Sequence, residues 1–334
     1  MLTDVQNSKD KRGIAIDKVG IKNLHYPISV LDKKKSFQHT VADINMYVDL
    51  PHYFKGTHMS RFLEVLNEYR GEISIVSFPD ILRKIKKVLN AGSASVEIKF
   101  PYFIEKTAPV SGKKSLMEYI CSYKGTIKNK KTKYNNKYNY IYKNSDLDVD
   151  LDVLDVKEEN IKYKKNGHNL EKNNDKDKSM LTADKDINKK INVTGNAVTE
   201  TEEESIIIIG IKVPINTLCP CSKEISKYGA HNQRGVVSVS LEFSKLIWFE
   251  DIINDVESCA SAPIYSLLKR ADERFLTEHA YENPMFVEDI VRCVADILKK
   301  NKNIKWFRVE AENFESIHNH NAYAMTESDI KIKS

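Results

Sequence analysis

Apolar and polar residues alternate along several segments in the first part of the chain. Ile44, Met46, Val48 and Leu50 are each separated by one more polar residue. A period of two is typical of a strand with one buried face. We therefore predict strands over residues 21–30 and 41–50, with two more around residues 96–100 and 116–127.

Between these strand pairs the apolar period changes to that of a helix. The first predicted helix carries its apolar residues on one face: Phe62, Leu63, Leu66 and Tyr69. A second predicted helix begins at Pro79 and stops at Gly92, as expected for proline near a helix start and glycine after its end.

The last part of the chain repeats this order. Strands are predicted over residues 206–215 and 237–243, helices over 250–270 and 286–300, and strands over 304–310 and near Ala322. Pro263 falls inside the first of these helices and must bend or split it, because proline lacks the amide hydrogen that a helix interior requires.

The order strand, strand, helix, helix, strand, strand thus occurs twice. We predict an α+β fold of two similar ββααββ modules, with antiparallel sheets and helices on one face. Residues 1–127 form the first module and residues 205–334 the second. Residues 128–204 are rich in Lys, Asn and Asp, and we predict a disordered insertion because so little apolar surface is available to offset the entropy of ordering.

Composition limits the class of protein. The net charge of +5 over 334 residues is too small for a dedicated polycationic nucleic-acid binder but suits an anionic small substrate. No apolar run approaches the roughly 20 residues that span a bilayer. The polar start of the chain lacks the apolar segment of a signal peptide, so we expect a soluble protein of the cytoplasm.

The cysteines divide into two groups. Five of them in a chain without a signal peptide argue against a disulfide framework. We expect Cys121, Cys259 and Cys293 to be core residues, since they lie in apolar helical or strand-like patterns. Cys219 and Cys221 are different, because His231 follows them at short range.

Two segments combine the residue types that bind metal ions and move protons. Cys219 is the strongest candidate ligand, because thiolates bind zinc and ferrous iron. A C-x-C pair alone is weak support for a structural zinc site, and a catalytic site with His231 as a second ligand fits better. The segment from Glu312 to Tyr323 adds His318 and His320, which can ligate metal or transfer protons.

Further candidates are less specific by themselves. Glu315 lies three residues before His318, where a carboxylate can orient the histidine ring or act in proton transfer. Glu273 and Glu288, taken alone, are better interpreted as solvated helix charges. Two segments, Lys55–Phe62 and Lys106–Ser115, offer cationic side chains and turn amides that suit phosphates. Neither matches a Walker A loop or a dinucleotide-binding fingerprint.

Several of these segments together resemble one family. They are LCPCSKEISKYGAHNQR, KGTHMSRF, KTAPVSG, LLKR followed by DE, AYENP followed by FVED, ENFESIHNH, the opening DVQ, and VGIK near residue 19. They resemble the type IB GTP cyclohydrolase I family, over essentially all of the chain outside the insertion.

The resemblance implies a fold, a reaction and an assembly. The fold would be the tunnelling fold, with two similar modules per chain, assembled as a homotetramer. The reaction would be hydrolysis of GTP to 7,8-dihydroneopterin triphosphate and formate, at the entry to folate and, in some organisms, to 7-deazaguanine bases. The cofactor would be a divalent metal: zinc, manganese or iron. No nucleic-acid or membrane partner is implied.

The resemblance also implies residue roles. The metal ligands would be Cys219, His231, Glu273 and His318. The catalytic residues would be Cys221, Glu288, Glu315 and His320, with Glu288 gripping the guanine N–H edge. By charge and motif, the remaining substrate contacts would be His58, Arg61, Lys106, Lys113, Lys223 and Arg234.

Some features depart from the family pattern, and other functions stay open. Ala271 stands where the family usually has proline, Pro263 is unusual, and the insertion replaces a short connection. An archaeal-type cyclohydrolase would stop at a cyclic-phosphate dihydroneopterin, and only product analysis separates it. A catalytically dead tunnelling-fold protein is the alternative from another class, although all candidate ligands are present. A nitrile reductase of queuosine synthesis ranks low, because its motif surroundings differ from those of Cys219.

Overall fold

The computed structural model describes residues 6, 8–69, 73–130 and 203–330. These belong to one compact unit, Met1–Lys130 with Thr199–Ser334. Most of the predicted disordered insertion, residues 131–202, lies outside the described residues, as do the first two residues of the DVQ motif. At the edges of the insertion the strands run two residues further than predicted, since Lys128 pairs with Glu204.

Nine strands and six helices are present in the described ranges. The strands are β1 Ile16–Asp32, β2 Ser36–Leu50, β3 Ser93–Thr107, β4 Lys114–Asn129, β5 Glu203–Leu218, β6 Asn232–Phe243, β7 Ala262–Pro263, β8 Ile304–Asn313 and β9 Ala322–Asp329. The helices are α1 Ser60–Glu68, α2 Phe78–Val88, α3 Pro220–Ile225, α4 Phe249–Ser258, α5 Arg270–Glu282 and α6 Val287–Lys300. None of these helices is long and apolar enough to cross a membrane.

All strands belong to one antiparallel sheet. Its order is β1-β2-β3-β4-β5-β6-β8-β9, and β7 pairs with β5. Pairing of β4 with β5, in which Cys121 lies opposite Ile211 and Tyr123 opposite Ile209, joins the two halves of the chain. The fold is therefore mixed α and β with a single continuous antiparallel sheet.

One face of this sheet is buried under the helices. The buried residues along β3 are Ala94, Val96, Ile98, Phe100 and Tyr102. Because of the strand register, they lie beside buried residues of the neighbouring strands, so the buried face is continuous. Helix α2 packs on β3 and β4, α4 on β5, and α6 on β8 and β9. The alternation seen in the sequence therefore corresponds to one apolar face and one polar face.

Close packing of α2 on the sheet depends on a glycine. A Cβ atom on Gly125 would lie 2.5 Å from the Phe78 ring and 2.7 Å from the Leu82 side chain. Since such distances are not tolerated, glycine is required at this position of β4. In α1 the predicted apolar face is shifted, because Val65 is buried and Leu63 is 40% exposed.

Residues 250–270 do not form one helix, and the break predicted from Pro263 is confirmed. Helix α4 ends at Ser258, and Pro263 pairs with Ile215 in the short strand β7. A separate helix, α5, then begins at Arg270. Proline and the residue before it favour extended backbone, which explains why the chain leaves the helix here.

The two halves consequently differ in their elements. The first half has the order ββααββ, as predicted. The second half adds the short helix α3 between β5 and β6, and has β7 and three longer helices between β6 and β8. A strict repeat of the first module is thus not observed.

The cysteine prediction needs a correction. Cys121 and Cys259 are buried as expected, but Cys259 and Cys293 form a disulfide with their Cα atoms 5.8 Å apart. The bond links the residue after α4 to the middle of α6. Sequence pattern alone gave no indication of the pair, because 34 residues separate the two cysteines and only folding brings them together.

We expect the disulfide to stabilise the fold. Replacing both cysteines, Cys259→Ala with Cys293→Ala, should lower the free energy of unfolding by about 2–4 kcal/mol, because the unfolded chain regains the entropy of an open loop. Urea denaturation with and without a thiol reductant measures this, and the double variant should not respond to the reductant.

Thiol titration in denaturant gives an independent check. Five cysteines less the two in the disulfide leave three thiols. Titration of five thiols in the untreated protein would contradict the disulfide.

Candidate active site

The candidate site begins where β5 ends and the chain turns into β6. Cys219 follows the last residue of β5 and caps the N-terminus of α3. The chain returns through Gly229, whose φ of 127° suits glycine, to His231. The amide of Cys219 donates to the carbonyl of His231 at 3.1 Å. The two strongest candidate ligands are therefore held opposite each other.

The residue before Cys219 is fixed from two sides. The amide of Leu218 donates to the buried hydroxyl of Ser261 at 3.0 Å. Its carbonyl accepts from the amide of Met285 at 3.1 Å. Met285 lies just before α6, which carries Glu288 in its first turn. The start of α6 is thereby tied to the end of β5.

The two cysteines differ in environment. The Cys219 sulfur is half-buried and accepts from the amide of Ser222 at 3.4 Å. Cys221 lies in α3 and is exposed. The two side chains therefore differ in exposure and are suited to different roles.

The loop from β8 to β9 brings the second motif to His231. The ring centroids of His231 and His318 are 6.5 Å apart, and those of His318 and His320 are 5.3 Å apart. Glu315 lies with Oε2 3.5 Å from Nδ1 of His318. We call Cys219, His231, Glu315, His318 and His320 the strand-end cluster, since they lie at the ends of β5, β6 and β8.

Buried polar groups support this cluster from beneath. Gln233 is 7% exposed, and Thr217 is fully buried. The Gln233 side chain lies 3.0 Å from Nδ1 of His231, 3.1 Å from Oγ1 of Thr217 and 3.4 Å from Oε1 of Glu315. Ser316 Oγ is 3.3 Å from the same His231 nitrogen. His231 and Glu315 are thus connected through one amide.

The other candidate ligand stands apart. Glu273 is exposed in the first turn of α5. Across the described ranges, no three His, Cys, Asp or Glu side chains converge closely enough to hold a metal ion. The structure therefore links Cys219 to His231, but it does not bring all four predicted ligands together.

Asp272, the residue before Glu273, has a positioning role that the sequence did not indicate. Its fully buried carboxylate accepts three amide hydrogen bonds of 2.8 Å, from Val110, Ser111 and Lys269. Burial alone would raise the pKa of this carboxyl, but hydrogen bonds from Ser111, Lys269 and Val110 outweigh burial and lower the pKa. Asp272 thus fastens the β3–β4 turn to the start of α5.

Lys106 is engaged within the chain. Its ammonium lies 2.8 and 2.9 Å from the Glu257 carboxylate oxygens and 2.8 Å from the carbonyl of Ile264. Burial lowers the pKa of Lys106, and Glu257 opposes that shift. Tyr119 also donates to Glu257, at 2.7 Å. Three acceptors use the three donors of the ammonium.

The remaining predicted cations have different positions. Lys223 follows Cys219 in α3 and contacts the carbonyl of Tyr281 at 2.5 Å. Arg234 is exposed on β6, and its carbonyl accepts from the residue preceding Glu315. Lys113 is exposed at the β3–β4 turn, whereas His58 and Arg61 lie half-buried at the start of α1. Lys223 and Arg234 therefore adjoin the strand-end cluster.

A groove of about 550 Å³ lies on the polar face of the sheet. Lys99 and Lys212 contribute positive charge to its lining, and Glu310 and Glu312 contribute negative charge. Phe314, the residue before Glu315, is also part of the lining, whereas the five residues of the strand-end cluster are not.

Comparison with known families is decisive at this point. A family model described as Type I GTP cyclohydrolase folE2 matches residues 2–144 and 164–324. The chain belongs to this family. GTP cyclohydrolase FolE2 of Syntrophus aciditrophicus is 48% identical, over 98% of this chain and 100% of the relative. GTP cyclohydrolase FolE2 of Geotalea uraniireducens is 46% identical, over 99% of this chain and 95% of the relative.

Solved structures give only weak likeness. Uricase from Arthrobacter globiformis matches with a TM-score of 0.44 and 7% identity, over 95% of each chain. Urate oxidase from Bacillus sp. TB-90 matches at 0.47 and 7%, over 94% of this chain and 100% of the other. Likeness of this degree carries no argument about the FolE2 family member described here.

Sequence reasoning missed three supporting residues. Gln233 lies inside the AHNQR segment and Asp272 beside Glu273, so both fell within segments that the resemblance had marked. Glu257 lies in none of those segments. A buried polar role is hard to predict from sequence, because it depends on the partners that folding supplies.

We expect Asp272→Asn to destabilise the protein at neutral pH, because the amide nitrogen would face amide donors in place of a carboxylate. Glu278→Gln, which alters an exposed pair with Arg274 on the same helix, is the control and should have little effect. Thermal unfolding measures both.

The pH dependence of this difference has a definite sign. A carboxyl with a lowered folded-state pKa stabilises fully above its ordinary value of 3.8, and the contribution is lost as pH falls below that value. The gap between wild type and Asp272→Asn should stay constant from pH 8 to about 5 and narrow below about 4. A gap that widens on acidification would contradict this role.

Lys106→Met should destabilise the fold by about 3–5 kcal/mol, because the Glu257 carboxylate would remain buried without its cation. Adding Glu257→Gln should recover much of this loss, since no buried charge then remains. Urea denaturation of the two single variants and the double variant gives the coupling free energy. Additive single effects would exclude a coupled pair.

Proposed function

We propose that this chain opens the guanine ring of GTP at the strand-end cluster. Membership of the FolE2 family makes it an enzyme, a GTP cyclohydrolase of folate synthesis. The reaction consumes GTP and water and yields formate and 7,8-dihydroneopterin triphosphate. The observation that carries the assignment to this site is the meeting of Cys219 and His231 with Glu315, His318 and His320 at adjacent strand ends.

The donor types in the cluster, rather than their present spacing, suit a divalent metal ion. A thiolate from Cys219 and an imidazole from His231 are the donor types that zinc and ferrous iron accept, and manganese is the third candidate. The contact of His231 Nδ1 with Gln233 leaves Nε2 as the coordinating nitrogen. Glu273 and His318 would complete the ligand set. A bound divalent ion supplies Lewis-acid activation of water.

The acids and histidines around this position would hold the substrate and move protons. Glu288 would accept from the N–H edge of the guanine, because a carboxylate matches two adjacent donors. Its helix start is tied to Leu218 through Met285, which supports a position near Cys219. His320, Glu315 or Cys221 would deliver a proton to N7, making C8 more electrophilic.

The triphosphate would lie among cations beside the cluster. Lys223 and Arg234 are the preferred candidates, with Lys113, Arg61 and His58 as further contacts. Lys106 is left out of this proposal, because Glu257 already neutralises its ammonium. Loss of a phosphate contact should raise KM for GTP, whereas loss of Lys106 should act through stability.

This proposal also includes the finer family designation, type IB, and the tunnelling fold. It further includes assembly as a homotetramer in the cytoplasm. Two edge strands support assembly: among the described residues, β1 pairs only with β2, and β9 only with β8. Exposed strand edges are templates for pairing with another chain. We propose no nucleic-acid or membrane partner.

Reconstitution tests the function. Metal-free protein loaded with zinc, manganese or ferrous iron should release formate from GTP and give a pterin that fluoresces after oxidation. Cys219→Ala should reduce turnover at least 100-fold, because a ligand is lost. Cys121→Ala, at a buried cysteine remote from the cluster, is the matched control and should retain turnover in the folded fraction.

The outcome also separates the alternatives. Product analysis distinguishes the open triphosphate from a cyclic-phosphate dihydroneopterin. Absence of any product with all three metals, from protein that is folded and assembled, would favour the non-catalytic metal-binding alternative.

A further inference from the structure

We propose that Gln233 is a positioning residue that fixes the tautomer of His231, and that Glu315 sets the direction of its amide. This inference rests on the proposed function only in treating His231 as a metal ligand. The residues involved are the buried amide of Gln233, the hydroxyl of Thr217 and the carboxylate of Glu315.

The direction of the Gln233 amide follows from its partners. The carboxylate of Glu315 only accepts hydrogen bonds, so the atom 3.4 Å from it must be the amide nitrogen. The hydroxyl of Thr217 lies 3.5 Å from the backbone carbonyl of Gln233, to which it donates, and so accepts from the amide nitrogen at 3.1 Å. Both N–H groups of the amide are then used.

The direction of the amide in turn determines the histidine. With its nitrogen facing Thr217 and Glu315, Gln233 presents Oε1 to His231 at 3.0 Å. An amide oxygen cannot donate, so Nδ1 of His231 must carry the proton. In the neutral imidazole, Nε2 is then the acceptor, which is the tautomer that coordinates a metal through Nε2.

Neighbouring groups are compatible with this tautomer. The hydroxyl of Ser316, 3.3 Å from Nδ1, can accept a share of the same proton. The reversed amide would place its oxygen against the Glu315 carboxylate, two acceptors in contact. Because Gln233 is 7% exposed, water is a poor substitute for either partner.

Glu315 thus has a second effect besides any contact with substrate. Its Oε1 faces Gln233, and its Oε2 lies 3.5 Å from Nδ1 of His318. One carboxylate therefore lies close to His318 and acts on His231 through Gln233.

Two substitutions test the role of Gln233. Gln233→Met keeps the length of the side chain but removes its hydrogen bonds, and should weaken cobalt(II) binding 10–100-fold, as loss of such outer partners usually does. Gln233→Glu combined with Glu315→Gln keeps an acceptor for Nδ1 and one amide facing one carboxylate, and should retain more affinity than Gln233→Met. Thr217→Val removes one of the two groups that set the amide direction and should weaken binding less than Gln233→Met. Gln38→Met, the same change at a glutamine on β2, is the matched control and should leave cobalt affinity unchanged.

Cobalt titration followed by thiolate-to-metal absorption reports binding without turnover. Affinity in Gln233→Met within twofold of wild type would overturn the proposal. We also expect kcat for GTP to fall more than KM rises, since Gln233 does not contact substrate.

A measurement on the unaltered protein covers the case in which a variant fails to fold. Long-range ¹H–¹⁵N spectra of histidine-labelled, metal-free protein distinguish the two neutral tautomers, and His231→Asn assigns the resonance. The proposal predicts a proton on Nδ1 of His231, and a proton on Nε2 would overturn it. Wild-type protein that binds cobalt with this tautomer but does not turn over GTP would refute the proposed function and leave this inference standing.

Discussion

The pairing of β4 with β5 is the interaction on which the remaining architecture depends. It places Cys121 opposite Ile211 and Tyr123 opposite Ile209, so the buried face of the first half continues without a break into the second. A one-residue slip would turn every apolar side chain of one half toward the polar face. The register is therefore set by the burial of two hydrophobic faces at once, and the helices of both halves share a single core.

This constraint also explains where the chemistry is located. The helices cover one face of the sheet, so polar side chains gather on the other face and at the strand ends. Residues from the ends of β5, β6 and β8 meet there because those strands are neighbours in the sheet order. The motifs around Cys219 and His318 lie far apart in sequence, and sheet topology alone brings them together.

Much of the fold could be predicted from the sequence, because alternation records burial directly. Ile44 and Val96 alternate with polar neighbours and are buried as expected. The failures have a different character. Pro263 indicated a break in the helix, but its pairing with Ile215 and the pairing of Cys259 with Cys293 depend on contacts made only after folding. Local periodicity cannot report such contacts.

The candidate site likewise contains residues whose role the sequence could predict and residues whose role it could not. Cysteine and histidine ligands could be proposed from the sequence, because few other side chains bind metal ions. The role of Gln233 could not be predicted, since a neutral amide has no distinctive spacing in a sequence. Its role follows only from its contacts with Thr217 and Glu315 in the folded chain. Asp272 is similar, because two of its three amide donors, Val110 and Ser111, lie in the β3–β4 turn, far from it in sequence.

Burial of these polar groups favours one arrangement over its alternatives. An exposed amide could rotate at little cost, because water would satisfy either orientation. At Gln233 burial removes water, so a reversed amide would leave unpaired donors and opposed acceptors. Because an unpaired buried polar group is costly, the Gln233 amide is held in a single orientation. Gln233 therefore determines which nitrogen of His231 is presented to the site, although Gln233 itself need not contact the substrate.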